Sequence, residues 1–198
     1  MPRDLVRFAV GNCSLGSILV AATAKGVCAV LLGDDPAFLV RDLHDRFPAS
    51  RFITGDADFA EMFTAVVDGV ENPALAREIP LDARGTPFQQ RVWQALREIP
   101  AGSTASYTEI ASRIGAPGAV RAVARACASN VIAVAIPCHR VVRTNGALSG
   151  YRWGLERKRA LLDREAALEA RHGFAGARPS VGGSGGHFGA PRKDQTAS

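Results

Sequence analysis

The sequence predicts an α+β fold in two parts, a small N-terminal α/β domain followed by a mainly helical one. Three observations predict it. Short β-rich runs crowd the first third of the 198-residue chain, apolar residues then recur at helical spacing, and a glycine-interrupted helix pair precedes a final apolar segment.

The elements follow in chain order. Leu5 to Val10, Ser17 to Ala22 and Val27 to Leu32 are rich in branched apolar residues, and turn signals at Gly11-Asn12 and Lys25-Gly26 divide them into an antiparallel meander. Asp34-Asp35-Pro36 opens a helix that runs through Phe47, with the proline in the first turn, where its missing N–H would be unpaired anyway. Phe59, Met62, Phe63, Val66, Val67 and Val70 follow the i, i+3, i+4, i+7, i+8, i+11 pattern of one buried helix face, ended by Asn72-Pro73. Residues 73–85 read as a linker with one short strand, Glu78 to Leu81. Thr86-Pro87 starts another helix, with Phe88, Val92, Leu96 and Ile99 inward, and Pro100-Ala101-Gly102 stops it.

Ser106 to Cys127 carries the helix pair. Ile110, Ala111 and Ile114 face inward on the first helix, Gly115 to Gly118 break it, and Val120, Val123, Ala124 and Cys127 face inward on the second. Arg121 and Arg125 lie one turn apart on the second helix's exposed face. Two short helices about a glycine turn, the second small-residue-rich and arginine-bearing, match a helix-turn-helix. The same pattern occurs in helical hairpins that bind no DNA. From about Gly173 onward the chain is Gly, Ser, Ala and Pro with scattered charge, a composition that cannot bury enough to order itself. The expected organisation is therefore residues 1–83 as the first domain with its linker, 84–170 as the second, and 171–198 as a disordered tail.

One segment stands out for chemistry: Ile136-Pro137-Cys138-His139-Arg140-Val141-Val142, at the end of the apolar run Val131 to Ile136. A free thiol has a pKa of about 8.5, and a nearby imidazole or guanidinium is the kind of group that activates it as a nucleophile. Neighbours on an extended segment point to opposite faces, so adjacency alone does not bring Cys138 and His139 together. A proton passing between them would need a water or a turn. A buried structural cysteine beside a satisfied histidine is the competing reading.

Composition bounds the rest. With 47% hydrophobic and 22% charged residues the chain is an ordinary globular protein, without a signal-like start or a run long enough to span a membrane. Cys13, Cys28, Cys127 and Cys138 show no CxxC spacing, which suits reduced thiols in a cytoplasm. Charge is polarised. Residues 1–83 hold 7 Lys+Arg against 12 Asp+Glu, whereas residues 84–165 hold 13 against 5, nearly all of them arginine. A basic second half suits a polyanion such as nucleic acid, or is simply a solvated face. Since Cys127 lies only eleven positions before Cys138, a DNA-binding helix there would sit beside the thiol. Chemistry on a base would require that base to leave the stack.

At this point the chain resembles the O6-alkylguanine-DNA alkyltransferases, the methylated-DNA–protein-cysteine methyltransferases, of the type that forms the C-terminal half of Ada proteins. The likeness covers roughly residues 5–168. It is carried by Arg84-Gly85-Thr86-Pro87-Phe88-Gln89-Gln90-Arg91-Val92-Trp93, the Ser106-Tyr107 helix entry, Pro137-Cys138-His139-Arg140-Val141 and Ser149-Gly150-Tyr151-Arg152-Trp153-Gly154. It implies a ribonuclease H-like antiparallel sheet with helices, followed by a winged helix-turn-helix-like alkyltransferase domain.

The resemblance also implies roles. Cys138 would accept the alkyl group, His139 would act through a water as its base, and Glu165 would hold His139. Asn130 would tie the recognition helix to the active segment, and an Asn there also reads as a helix C-cap. Arg121 would fill the space of a flipped nucleotide, Tyr107 would crowd the target phosphate, and Arg125 would share the DNA face. Tyr151, Arg152 and Trp153 would form the base pocket with the Cys138 and Val141 carbonyls, and Trp153 would narrow it. The implied partner is double-stranded DNA bearing alkylated bases, methylthymine included, met by a monomer without cofactor. Ada-type phosphotriester repair and transcriptional activation are not expected, because the four-cysteine domain that supports them is missing from this sequence. Cys13 and Cys28 do not fall in the register of the family's two-Cys, two-His zinc site, so no metal is expected. A lesion-binding or regulatory helix-turn-helix protein is the alternative, and the presence of Cys138 argues against it.

Overall fold

A computed structural model describes residues 4–73 and 75–175. The first part is a four-stranded sheet of order β3-β2-β1-β4 with two helices. Strands β1 (Leu5–Cys13), β2 (Gly16–Thr23) and β3 (Gly26–Gly33) form the expected antiparallel meander. The first turn lies at Ser14-Leu15 rather than Gly11-Asn12, which stay in β1 and pair with Ile18 and Ser17. Gly16 sits at φ +104, and that left-handed position marks the hairpin's end. β2 and β3 are buried almost throughout, as their unbroken aliphatic runs require, while in β1 Val6 is buried and the other residues are half-buried or exposed.

The sheet departs from a purely antiparallel one at its edge. Helix α1 (Pro36–Arg46) crosses from β3 to β4 (Arg51–Thr54), which pairs with β1 in parallel. A helical crossover is what allows two strands to run the same way. Asp35 caps α1 by accepting from the Ala37 N–H, and Leu39 and Leu43, one turn apart, face the core. Full burial of each contributes about 1.5–3 kcal/mol. Helix α2 (Ala57–Glu71) starts on an Asp56 cap and buries Phe59, Val66 and Val70, with Met62, Phe63 and Val67 packed at its margin.

The linker strand expected at Glu78 to Leu81 is absent. Leu75–Glu78 forms a 3-10 turn, and only Leu81 bridges to the sheet, at Val27. Asp82 N–H then donates to the Val27 carbonyl and Val27 N–H to the Pro80 carbonyl. This segment and the later run at Val131–Ala133 both cover the β3 edge, since Val30 N–H donates to Val131 O and Ala133 N–H to Val30 O. Edge groups left open would recruit other strands. Here they anchor the chain that leads to Cys138.

The second part is mainly helical. Helix α3 (Pro87–Arg97) opens with a capping box in which Thr86 and Gln89 satisfy each other's backbone N–H, and it buries Val92, Trp93 and Leu96. A second box, Ser106 with Glu109, starts α4 (Tyr107–Arg113), and α5 (Val120–Ala128) follows the glycine turn. A two-residue parallel ladder pairs β5 (Ala105–Ser106) with β6 (Val141–Val142). Helix α6 (Leu155–Ala175) closes the fold. It continues past the expected start of the tail at residue 171, and the remaining tail, residues 176–198, lies outside the described residues. No described helix is long and apolar enough to cross a membrane.

Candidate active site

The segment before the cysteine is turn-like rather than extended. Ala135 N–H donates to Ala133 O and Ile136 N–H to Ile132 O, and Val134 takes φ 65. A β-branched residue in that region is strained, and such strain persists only where its surroundings over-determine it. Val134 is buried, between the anchor on β3 and the reactive turn. Cys138–Arg140 then forms a 3-10 turn in which all three side chains are buried. The alternation of an extended segment therefore does not apply, and each of the three residues meets its own partners.

Cys138 Sγ accepts from Asn130 Nδ2 at 3.2 Å. The same amide donates to the Ile136 carbonyl at 2.9 Å, while Asn130 Oδ1 accepts from the Ile132 N–H at 2.9 Å. Asn130 is 1% exposed and its own N–H donates to Cys127 O, so it ties the end of α5 to the sulfur. The C-cap itself is Ser129, one residue earlier, whose N–H bonds back to Arg125 O and whose hydroxyl accepts from Gln89 of α3. Trp93 Nε1 also donates to Ala126 O, so α3 braces the helix from behind.

His139 and Glu165 meet directly, Nε2 to Oε1 at 2.8 Å, and both are fully buried. Arg140 grips the same carboxylate through Nε at 3.1 and 3.0 Å and Nη2 at 2.8 Å, and its Nη1 donates to the Ile99 carbonyl. The Gly102 N–H adds a fourth donor at 3.2 Å. Burial by itself would raise the Glu165 pKa, but the hydrogen bonds and charges of His139 and Arg140 outweigh it and bring it down to about 2. Burial lowers His139 below its ordinary value, against the pull of Glu165. The pair is therefore a neutral imidazole on an ionised carboxylate. Nε2 carries the proton, and Nδ1 keeps its lone pair with no partner among the described residues. This is the geometry of an oriented general base.

Burial pushes the Cys138 thiol up to about 11, with the Asn130 hydrogen bond and the Lys158 charge pulling the other way. A thiol held that high needs a base if it is to act as a nucleophile. Lys158 escaped the sequence reading. It is fully buried, with Nζ donating to Val141 O at 2.5 Å and Ser149 O at 3.1 Å, and among the described residues no carboxylate pairs with it. In the sequence Gly102 reads only as a helix stop, and Arg140 as a cation beside the thiol rather than as a partner of Glu165. The signal for Lys158 was present in the spacing: Lys158, Leu161 and Glu165 stand at i, i+3 and i+7, one face of α6, and all three are buried.

Cys138 opens into a cavity of about 520 Å³ lined by Tyr107, Ala124, Cys127, Arg143, Tyr151 and Arg152 among others. Tyr107 Oη shares a hydrogen bond with Ser149 Oγ at 2.8 Å, and Arg152 donates to the Ala128 carbonyl at the end of α5. Two expected pocket residues do not line this cavity. Trp153 is 6% exposed and packs edge-on against Tyr151 at 5.1 Å, so it reaches the pocket only through that ring. Val141 is fully buried, and its carbonyl is already held by Lys158. Arg121 and Arg125 stand exposed on α5, outside the cavity lining. A larger groove of about 630 Å³, lined by Asp4, Arg46, Phe47 and Arg84 among others, lies away from the thiol. Among the described residues no group of three or more His, Cys, Asp or Glu gathers closely enough to hold a metal ion.

The chain is similar to known proteins along most of its length. Residues 87–167 match the family described as 6-O-methylguanine DNA methyltransferase, DNA binding domain. The bifunctional transcriptional activator/DNA repair enzyme Ada of Escherichia coli is 52% identical over 166 residues, 84% of this chain and 47% of that protein. The inducible methylated-DNA–protein-cysteine methyltransferase of Bacillus subtilis is 39% identical over 150 residues, 74% of this chain and 82% of that one. The crystal structure of Mycobacterium tuberculosis OGT in complex with DNA superposes with a TM-score of 0.67 at 34% identity, covering 82% of this chain and 93% of that chain. By sequence the match spans about half the length of several of the curated relatives, 47% of the Escherichia coli protein and 53% of the Mycobacterium tuberculosis methyltransferase.

Proposed function

As the chain belongs to the methylated-DNA–protein-cysteine methyltransferase family, we propose that it repairs alkylated DNA by moving the alkyl group from O6-alkylguanine to its own Cys138. O4-methylthymine is a second substrate of the same chemistry. The observation that carries this reading is a thiol lining a cavity of about 520 Å³, next in sequence to a histidine whose Nδ1 has no partner among the described residues and whose Nε2 is held by Glu165.

The step balances. The Cys138 proton passes through a water to His139 Nδ1, and the imidazolium that forms is stabilised by Glu165. The thiolate sulfur attacks the alkyl carbon, an S–C bond forms, and the C–O6 bond breaks with its electrons on the purine. The purine anion takes a proton from Tyr107, a hydroxyl that lines the cavity; the tyrosinate takes one back from solvent and the imidazolium gives one up, so no net charge is left behind. Lys158, a buried cation acting on the sulfur, stabilises the thiolate as it forms. The thioether has no route back to a thiol, so each molecule acts once.

The target base must leave the duplex to reach the cavity. Arg121, exposed on α5, fills the vacated space, which offsets part of an unstacking cost of a few kcal/mol. Arg125 and the basic second half bind phosphates, so affinity should fall with salt and depend little on sequence.

The test is direct. The protein is incubated with a duplex carrying O6-methylguanine, and the peptide containing Cys138 is weighed. A gain of one methylene there, absent in Cys138→Ser, supports the proposal. DNA binding without any change of mass contradicts it.

A further inference from the structure

Two buried polar atoms near the reacting sulfur have no hydrogen-bond partner among the described residues, His139 Nδ1 and Tyr151 Oη. Native proteins rarely leave such atoms unpaired, and each instance calls for an explanation. The two belong to neighbouring rings, whose centroids lie 6.4 Å apart in an edge-to-face arrangement. They do not bond to each other. A polar gap between two such groups is where a single ordered water binds, and buried waters make about three hydrogen bonds each.

Tyr151 is fixed in this position. Its ring lines the cavity that holds Cys138, and Trp153 packs against it at 5.1 Å and 68°. The donors and acceptors also match. Nδ1 is an acceptor, because Nε2 carries the proton toward Glu165. Tyr151 Oη is a donor, and burial raises its pKa far above the ordinary value, so it keeps its proton.

We propose that Tyr151 is a positioning residue of the proton relay, its hydroxyl and His139 Nδ1 together holding the one water that takes the Cys138 proton. The inference rests on the function proposed above and adds an anchor to it. The water oxygen accepts from the tyrosine hydroxyl and from the thiol, and the water donates to Nδ1. When the thiol proton moves to the water, the water's own proton moves to Nδ1. The water is regenerated, the tyrosine keeps its hydrogen, and the thiolate is left to attack.

Tyr151→Phe keeps the ring and removes only the anchor. Transfer from methylated duplex is measured for both proteins, from neutrality up towards the thiol's own pKa of about 11. The variant should be slower by about tenfold near neutrality, the worth of one hydrogen bond in a transition state. Its deficit should shrink as pH rises, because a thiolate already formed needs no relay. A role in packing alone would lower the rate by the same factor at every pH. Equal rates, or a pH-independent deficit, overturn the inference.

A high-resolution crystal structure of the wild-type protein gives a second, independent reading should the variant fail to fold. Ordered water within hydrogen-bond distance of both atoms supports the anchor, and a dry gap overturns it. Wild-type protein that transfers no methyl group would instead overturn the functional reading, and the water's presence or absence would still decide the anchor.

Discussion

The two parts of the molecule differ most in what they bury. Among the described residues, the buried His, Arg, Lys and Glu side chains are His139, Arg140, Lys158 and Glu165, and all four lie in the second part. The sheet domain buries aliphatic side chains with Ser17 and Thr23 as its buried polar ones. Buried charge is expensive unless paired, and it persists where something other than stability requires it. On the function proposed above, the first part would be a scaffold and the second would hold the chemistry. Helix α6 joins them. Arg157 and Arg164 reach the first part at Leu15 O, Asp34, Val70 O and Ser14, while the residues next to them, Lys158 and Glu165, hold the Val141 carbonyl and His139.

Substitutions can break this contrast, and the largest effect should come from Glu165→Gln. It leaves Arg140 buried without its anion, at a cost of about 3–5 kcal/mol, and it removes the partner of the imidazolium, slowing transfer by roughly 10²–10⁴-fold. Denaturant melts and single-turnover kinetics report the two losses. Leu31→Ala in β3 should cost about 2–5 kcal/mol through its cavity and yet leave the rate per folded molecule unchanged. A slowed rate there would mean that the sheet does more than support.

Acid provides a third probe. The Glu165 pKa lies at about 2 against an ordinary 4.5. A depressed carboxylate contributes its full stability above the unfolded value and loses it as pH falls from there towards the folded value. About 3 kcal/mol should disappear over that window, and Glu165→Gln should lack that part of the acid slope. The smallest effect on stability belongs to Arg121→Ala, below about 0.5 kcal/mol for an exposed side chain. Its mark should appear in transfer from duplex DNA, which needs flipping, and be absent with free O6-methylguanine base.

The parts that could be read in the sequence follow the same division. Aliphatic runs and helical stripes carry strong periodic signals, so β1 to β3, α1, α2 and α3 fell within a few residues of their places. Strand β4 was missed because Arg51-Phe52-Ile53-Thr54 is short and half-exposed and has no pattern of its own. The Glu78 to Leu81 strand was an error of the opposite kind, an apolar stretch that makes one bridge and no ladder. Within the site, Cys138, His139 and Glu165 came from motif and family register. Lys158 was hidden in a helix so dense in charge that, beside it, Leu161 is the clearest apolar mark of the inward face. Gly102 looked like a helix stop. In the fold it stands at φ +78 against Glu169, close enough that a Cβ would collide, while its N–H reaches Glu165.

The central claim is that the buried charges of the second part serve a single transfer to one sulfur. Titration of the protein with excess isotopically methyl-labelled O6-methylguanine duplex tests it most directly, with label counted per protein and located by peptide. The account predicts a plateau at one methyl per molecule, all of it on Cys138. Label that exceeds one per molecule, or that rests on Cys127 or any other residue, would contradict it.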